Sequence, residues 1–492
     1  MKKIILPLCL IFMMCLTLSA ADEDLTPLEL LGKKLFFDEN LSTPPGMSCA
    51  ACHAPETGFT GPDSRINAET AVYPGIVKER SGNRKPPSAA YGGYSPVLYF
   101  DEDEGLWLGG MFWDGRATGL TLGDPLAEQA QGPFLNPLEQ NNPNARLVCT
   151  KVAKSDYADL FEAVWGPGSV DYVKDVAGTY ERIARSISAY ERSTEVNPFS
   201  SKYDAYLIGE AELTEEEEQG LDLFEGKAMC SACHLSEPGQ SGEPPMFTDF
   251  SYDNLGIPKN PDNPFYELPR KWNPAGKNWV DPGLGGFLMS AGYPEDVYEP
   301  EMGKHKVPTL RNVDRRPSEN FVKAYGHNGY FKSLAEIVHF YNTRDVEPWP
   351  EPEFPMNVNS DELGDLGLTP AEEAAIVAFM KTLSDGYYEP KELPKQVVSI
   401  PTHAAPATSF EMAGPNPFNP STMMRYTIAE NGKVTIRVFN VIGQVVDILV
   451  DGPQAAGSHV VTWAPANLPS GTYFIRLEAD SQIMTRKLLL VR

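Results

Sequence analysis

The chain has 492 residues, room for about three domains at roughly 150 residues each, and its 42% hydrophobic and 22% charged content is that of a folded globular protein. A formal net charge of −26 excludes a nucleic-acid surface, which has to be basic, and it disfavours docking on anionic lipid. What remains is a chain with a solvated acidic exterior.

The N-terminus, "MKKIILPLCLIFMMCLTLSAAD", combines two lysines, a short apolar run and a small-residue end, and it reads as a cleaved secretory signal over residues 1–20. No later stretch is apolar enough to cross a bilayer, so the mature chain is expected to be soluble, exported and without a membrane span. Seven cysteines fall to five when Cys9 and Cys15 leave with the signal. Four of the five lie in two C-x-x-C-H motifs, Cys49-Cys52-His53 and Cys230-Cys233-His234, and Cys149 stands alone, which excludes a disulfide framework. Two such motifs attach two c-type haems; zinc is the alternative, and export favours the haem reading.

Along the chain, "LTPLELLGKKLFF" (25–37) returns as "LTEEEEQGLDLFEG" (213–226), matching at Leu, Thr, Gly, Leu and Phe, and each copy leads into a C-x-x-C-H motif. Thr26 ahead of Pro27, and Thr214 with Glu217 as a capping box, predict a helix start in each copy. The fold class expected is mainly α: two duplicated haem domains, 21–205 and 206–388. The spacing of Ile183, Ile187 and Tyr190 predicts a helix over 176–193, and Thr369-Pro370 predicts another over 369–384. Residues 236–300, rich in Pro, Gly, Asn and Trp, are expected to be long ordered loops. A Pro-rich tether follows over 385–409, the linker proper being 389–409. Beyond it the period changes to two, and "MMRYTI", "KVTIRVFN", "HVVTWAP", "GTYFIRLEA" and "MTRKLLLV" predict a small β-sandwich over 410–492 with nothing catalytic in it.

In that last segment, "NPFNPST" (416–422), "VFNVIGQVV" (438–446), "LPSGTYFIRL" (468–477) and "KLLLVR" (487–492) resemble the sorting domains of the type IX secretion system. The resemblance implies an immunoglobulin-like sandwich, the type IX machinery as a partner, and passage through the periplasm to the cell surface or medium.

Between and around the haem motifs, "FWDGRA" (112–117), "EQAQGPFLNPLE" (128–139), "KVPTLRNV" (306–313) and "HNG" (327–329) resemble the bacterial dihaem cytochrome c peroxidase family, which includes the MauG proteins. The match spans roughly residues 25–385. It implies two cytochrome c-like domains, a peroxidatic haem held by His53 in the first and an electron-transfer haem held by His234 in the second. Carried over by position, Glu139 is the distal carboxylate, Gln129 the distal amide, Pro133 shapes the pocket between them, and Trp113 lies between the haems. Six extra residues separate Trp113 from Gln129 relative to the common spacing. Tyr341, fourteen residues after His327, takes the place where family peroxidases have a methionine ligand and MauG-type members have a tyrosine. His339 is read as a neighbour and His327 as structural. The resemblance also implies a calcium ion between the domains, with carbonyls near Val322 and Ala324 and with Asn83 in a shifted register.

The chemistry agrees with these assignments. A carboxylate can carry a proton from one peroxide oxygen to the other, and a neutral amide can hold peroxide without adding charge. From Ala54 to Cys233 there is no histidine, so a cap on the first haem from that stretch would have to be a weak donor such as Met111. The function expected is reduction of hydrogen peroxide at the first haem without reductive activation. Electrons would come through the second haem from a small c-type cytochrome or a cupredoxin. A MauG-like oxidase of a protein or small-molecule substrate is the alternative within that class, and a non-enzymatic dihaem electron carrier is the alternative outside it.

Overall fold

The computed structural model describes residues 25–102, 104–239, 244–388 and, with short gaps, 409–490. The signal segment and most of the Pro-rich tether lie outside the described residues. The chain divides into two compact units, with the boundary between Gln396 and Val397.

The first unit is mostly helical and carries two hydrophobic cores. In the first core, helix α1 (Pro27–Phe37) crosses helix α3 (Val176–Glu191), burying Leu31, Leu35 and Phe36 against Ile183, Ile187 and Tyr190, while Phe134 from helix α2 (Pro125–Leu135) closes the cluster. In the second core, helix α4 (Glu215–Glu225) crosses helix α6 (Pro370–Lys381), and Phe224, Ile376 and Phe379 pack with Phe340 from helix α5 (Leu334–Thr343). The sequence repeat explains why the two crossings match. Gly32 and Gly220 occupy the same place in α1 and α4; a Cβ on Gly32 would lie 1.9 Å from the Ser186 carbonyl, and one on Gly220 would lie 2.0 Å from that of Ala375. The helix axes can approach this closely only where the side chain is hydrogen.

The capping signals hold. Thr214 with Glu217 forms the expected box, and so do Thr26 with Glu29 and Thr369 with Glu372. The region expected to be loops, 236–300, needs one correction: Gly283–Ser290 is a helix and Glu295–Tyr298 a short turn of one. "GLGG" reads as a helix breaker, but side chains at Gly283 and Gly285 would run into the backbone of Lys304 and Met302, so packing selects glycine there against its propensity.

A buried ion pair ties the two cores together. Arg311, 1% exposed at its side chain, donates to both oxygens of Asp204 at 3.0 and 2.9 Å and lies over the rings of Tyr91 and Phe199. Burial pushes the Asp204 carboxyl up, but the guanidinium and the Ser201 hydrogen bonds outweigh it and hold it below the usual carboxylate range. Removing one partner strands the other charge, so Asp204→Ala is expected to cost about 3–5 kcal/mol of stability, read as a lower denaturant midpoint at an unchanged slope.

The second unit is all β. Strands β1 (Ser409–Met412), β2 (Thr422–Ile428) and β5 (Gly457–Trp463) form one antiparallel sheet in the order β1-β2-β5. Strands β3 (Gly432–Asn440), β4 (Val445–Gln454), β6 (Gly471–Ala479) and β7 (Gln482–Leu490) form another in the order β7-β6-β3-β4. Phe410, Met424, Tyr426 and Trp463 from the first sheet share a core with Val434, Ile436, Ile475 and Leu488 from the second. The alternation that predicted strands is the alternation that fills this core.

Candidate active site

Cys49 begins a single turn of 3-10 helix, and His53 follows it with its Nδ1 3.1 Å from the Phe59 carbonyl. Cys230 begins the equivalent turn, and His234 places Nδ1 2.8 Å from the Phe247 carbonyl. The carbonyls of Pro87 and Pro308 lie against the same two rings. Burial lowers the pKa of both histidines, keeping the imidazoles neutral. With Nδ1–H given to a carbonyl, Nε2 is the nitrogen left to bind a metal, the usual arrangement behind a ligating histidine.

Each motif borders a cavity, of about 1200 Å³ at the first and about 2160 Å³ at the second, solvent mouths included. The first cavity brings together Cys49, Cys52, His53, Gln129, Pro133 and Glu139. Among the described residues lining it, His53 is the one histidine, and Met111 also reaches the wall. Helix α2 delivers Gln129 and, in its last turn, Pro133; the chain then turns at Asn136, whose Nδ2 donates to Glu139 Oε1 at 2.8 Å. Burial raises the Glu139 pKa, opposed by the Arg116 guanidinium and the Asn136 hydrogen bond. In the segment between Trp113 and Gln129, the Glu128 carboxylate accepts from the backbone N–H of Gly119, Thr121 and Leu122 at 2.6–2.8 Å.

The second cavity brings Cys230, Cys233 and His234 together with Tyr341 on α5. His339, two residues before it, is spent on Glu373 at 2.9 Å and Glu347 at 3.3 Å. His327 Nε2 lies 3.2 Å from Glu353, a structural pairing. Trp113 lines both cavities and is 8% exposed. Its indole N–H donates to the Lys85 carbonyl, and its own carbonyl accepts from the Lys306 N–H, both at 2.9 Å.

Several functional groups escaped the sequence reading. Lys85 and Lys306 are part-buried amines; among the described residues the Lys85 Nζ bonds the Thr60 hydroxyl and the Pro86 carbonyl, and the Lys306 Nζ the carbonyls of Gly109 and Phe250. Burial pulls the Lys85 pKa to about 8 and that of Lys306 to about 7. A signal for them existed, because Lys85-Pro86-Pro87 and Lys306-Val307-Pro308 repeat beside the two haem-motif histidines. Glu191, at the end of α3, borders the first cavity with Oε2 unpartnered, and burial pushes it up to about 8. His305 stacks on His327 at 3.6 Å with Asp281 beside it, a trio with metal-ligand chemistry. Arg84 already holds both Asp281 oxygens at 2.6 Å, and His305 Nε2 lies 3.2 Å from Asp281 Oδ1.

Groups at the positions expected to bind calcium make other bonds. The asparagine that reaches the Val322 carbonyl is Asn67, donating Nδ2 at 3.0 Å, and the backbone carbonyl of Asn83 accepts from Asn263. Lys323, between Val322 and Ala324, carries its Nζ instead to the carbonyls of Thr57, Asn312 and Arg315.

The di-haem cytochrome c peroxidase family matches residues 27–212, and the secretion system C-terminal sorting domain matches residues 414–491, so the chain carries a type IX sorting tail. No helix among the described residues is long and apolar enough to cross a membrane. The chain is 35% identical over 377 residues to the methylamine utilization protein MauG of Paracoccus denitrificans, covering 74% of this chain and 90% of that protein. It is 28% identical over 360 residues to cytochrome-c peroxidase IdrP1 of Denitromonas iodatirespirans, covering 72% and 80%. Among solved structures, the diheme peroxidase BthA of Burkholderia thailandensis superposes with a TM-score of 0.62 at 33% identity, covering 75% of this chain and 88% of that one. With two histidine-anchored C-x-x-C-H cavities flanking one tryptophan, and with relatives of both names at this coverage, the chain belongs to the di-haem cytochrome c peroxidase/MauG family.

Proposed function

We propose that the protein reduces hydrogen peroxide at the first haem, with electrons passed through the second, and that it needs no reductive activation. The observation behind this reading is the lining of the first cavity, which brings His53 together with Gln129, Pro133 and Glu139 and, among the described residues, holds no second histidine. Bound haem supplies the two electrons that split the O–O bond, so that one peroxide and two protons become two waters. The chain supplies the rest. Gln129 hydrogen-bonds peroxide without charge; Glu139 takes the proton from one oxygen and returns it to the other, and its raised pKa suits both halves of that task. Lys85 and Lys306 border the cavities as amine donors that meet neutral acceptors among the described residues, and they fit the haem carboxylates. Trp113, bonded to both lysine segments, is the electron relay between the two sites.

The electron donor is read as a small c-type cytochrome or a cupredoxin. A second reading, oxidation of a protein or small-molecule substrate, is favoured by Tyr341 as the second-haem ligand, because an anionic oxygen donor stabilises oxidised iron. The tail is read as an immunoglobulin-like sandwich that directs the enzyme to the cell surface or medium.

Electron paramagnetic resonance of the oxidised protein is expected to contain one high-spin and one low-spin ferric signal. Stopped-flow mixing with peroxide, without reductant, is expected to change the haem absorption before any donor is added. Two low-spin signals and no reaction would leave an electron carrier instead.

A further inference from the structure

What stands in place of the implied calcium is part of the chain itself. Lys323 is 5% exposed, and its Nζ donates to the backbone carbonyls of Thr57, Asn312 and Arg315 at 2.9, 2.9 and 3.0 Å. Three acceptors require three N–H bonds, the full complement of an ammonium and one more than a neutral amine carries. Carbonyl oxygens converging on a positive charge are also what a calcium site offers. Here the charge is tethered to the backbone between Val322 and Ala324, the two positions from which calcium carbonyls were expected.

The surroundings work against a divalent ion in addition. The segment containing Asn83 does run beside this one, since the Lys85 N–H donates to the His327 carbonyl at 2.9 Å. It brings the Lys85 amine near Lys323; burial first and this like charge second pull the Lys323 pKa well below the ordinary lysine value, and the three carbonyl acceptors hold its ammonium against that pull. The Val322 carbonyl is already bonded by Asn67. A calcium ion would therefore face two amine groups and a Val322 carbonyl with one of its two lone pairs already engaged.

The three carbonyls come from both haem-bearing halves. Thr57 belongs to the turn over 54–60, which also holds the Phe59 carbonyl that receives the His53 Nδ1–H. Asn312 and Arg315 follow the "PTLRN" segment of the second half. The two surfaces are in direct contact: a Cβ on Gly58 would lie 2.7 Å from that of Asn312. Asn312 in turn donates to Asp385, so it is fixed from behind.

We infer that the Lys323 ammonium replaces calcium as the cation joining the two halves, and that it is a positioning residue for His53, the axial ligand of the first haem. This rests on the dihaem reading but not on the reaction with peroxide: a protein with two haems that ignores peroxide would defeat the proposed function and leave this inference standing.

The test uses the exported holoprotein with both haems confirmed by pyridine haemochrome assay. Metal analysis is expected to find far less than one calcium per chain. Treatment with EGTA, or with added calcium, is expected to leave the melting temperature and the ferric resonance spectrum unchanged. Lys323→Met is expected to shift or broaden the first-haem signal while the second-haem signal stays in place. One calcium per chain, or a chelator-induced change in the first-haem spectrum, would overturn the replacement. A folded Lys323→Met protein with the parent first-haem spectrum would overturn the positioning role. If that variant does not fold, the calcium content and chelator response of the parent protein decide.

Discussion

Replacing Glu139 by glutamine is expected to slow peroxide turnover by about 10²–10⁴-fold, the range for a lost proton carrier, while both haem spectra stay as they were. The substitution keeps the shape of the side chain and an oxygen for Asn136 to donate to, so the pocket changes in charge and not in volume. The pH profile identifies the group. Burial raises the Glu139 pKa above the ordinary carboxylate value, and Arg116 and Asn136 only partly offset it. The base form does the work, so activity falls as pH drops through that raised pKa, and this acid limb should vanish in the glutamine variant. Asn136→Ala removes a hydrogen bond that favours the carboxylate, so its limb should move to higher pH. Glu191 is the competitor, a second carboxyl on the same cavity pushed up to about 8. A limb that survives Glu139→Gln and disappears with Glu191→Gln would transfer the role to Glu191.

The features legible in the sequence obey short-range rules. A C-x-x-C-H motif is a local object, and so is a capping box; Thr26, Thr214 and Thr369 each announce a helix within four residues. Gln129 and Glu139 were legible because one helix turn and one loop carry both into the same wall. Interactions across the fold were not. Nothing near Lys323 in sequence says that its ammonium meets Thr57, 266 residues away. The Gly283–Ser290 helix was missed for the same reason, since the backbone that demands glycine there lies about twenty residues downstream. Arg116 and Glu191 are charged residues in ordinary surroundings until the fold closes the cavity around them.

Replacing Tyr341 by methionine is expected to raise the midpoint potential of the second haem by roughly a few tenths of a volt, within the range of about 0.8 V that axial ligands command. A phenolate is an anionic oxygen donor and favours ferric iron; a thioether is neutral and soft and favours ferrous. Methionine is flexible and apolar enough to fill the space beside Ile337 and Val338 on α5, so the helix should tolerate it. The functional consequence follows from the sign. A second haem that is easier to reduce is harder to oxidise beyond ferric, so the reaction of the oxidised protein with peroxide should become dependent on an added donor. Tyr341→Phe separates a ligand from a core residue. Phenylalanine has no donor atom, so a ligand role predicts loss of the low-spin ferric signal of the second haem and the appearance of a high-spin one. If Tyr341 only packs against Phe340 and its neighbours, both the spectrum and the potential of the phenylalanine protein stay at the parent values, and the oxidase reading loses its support.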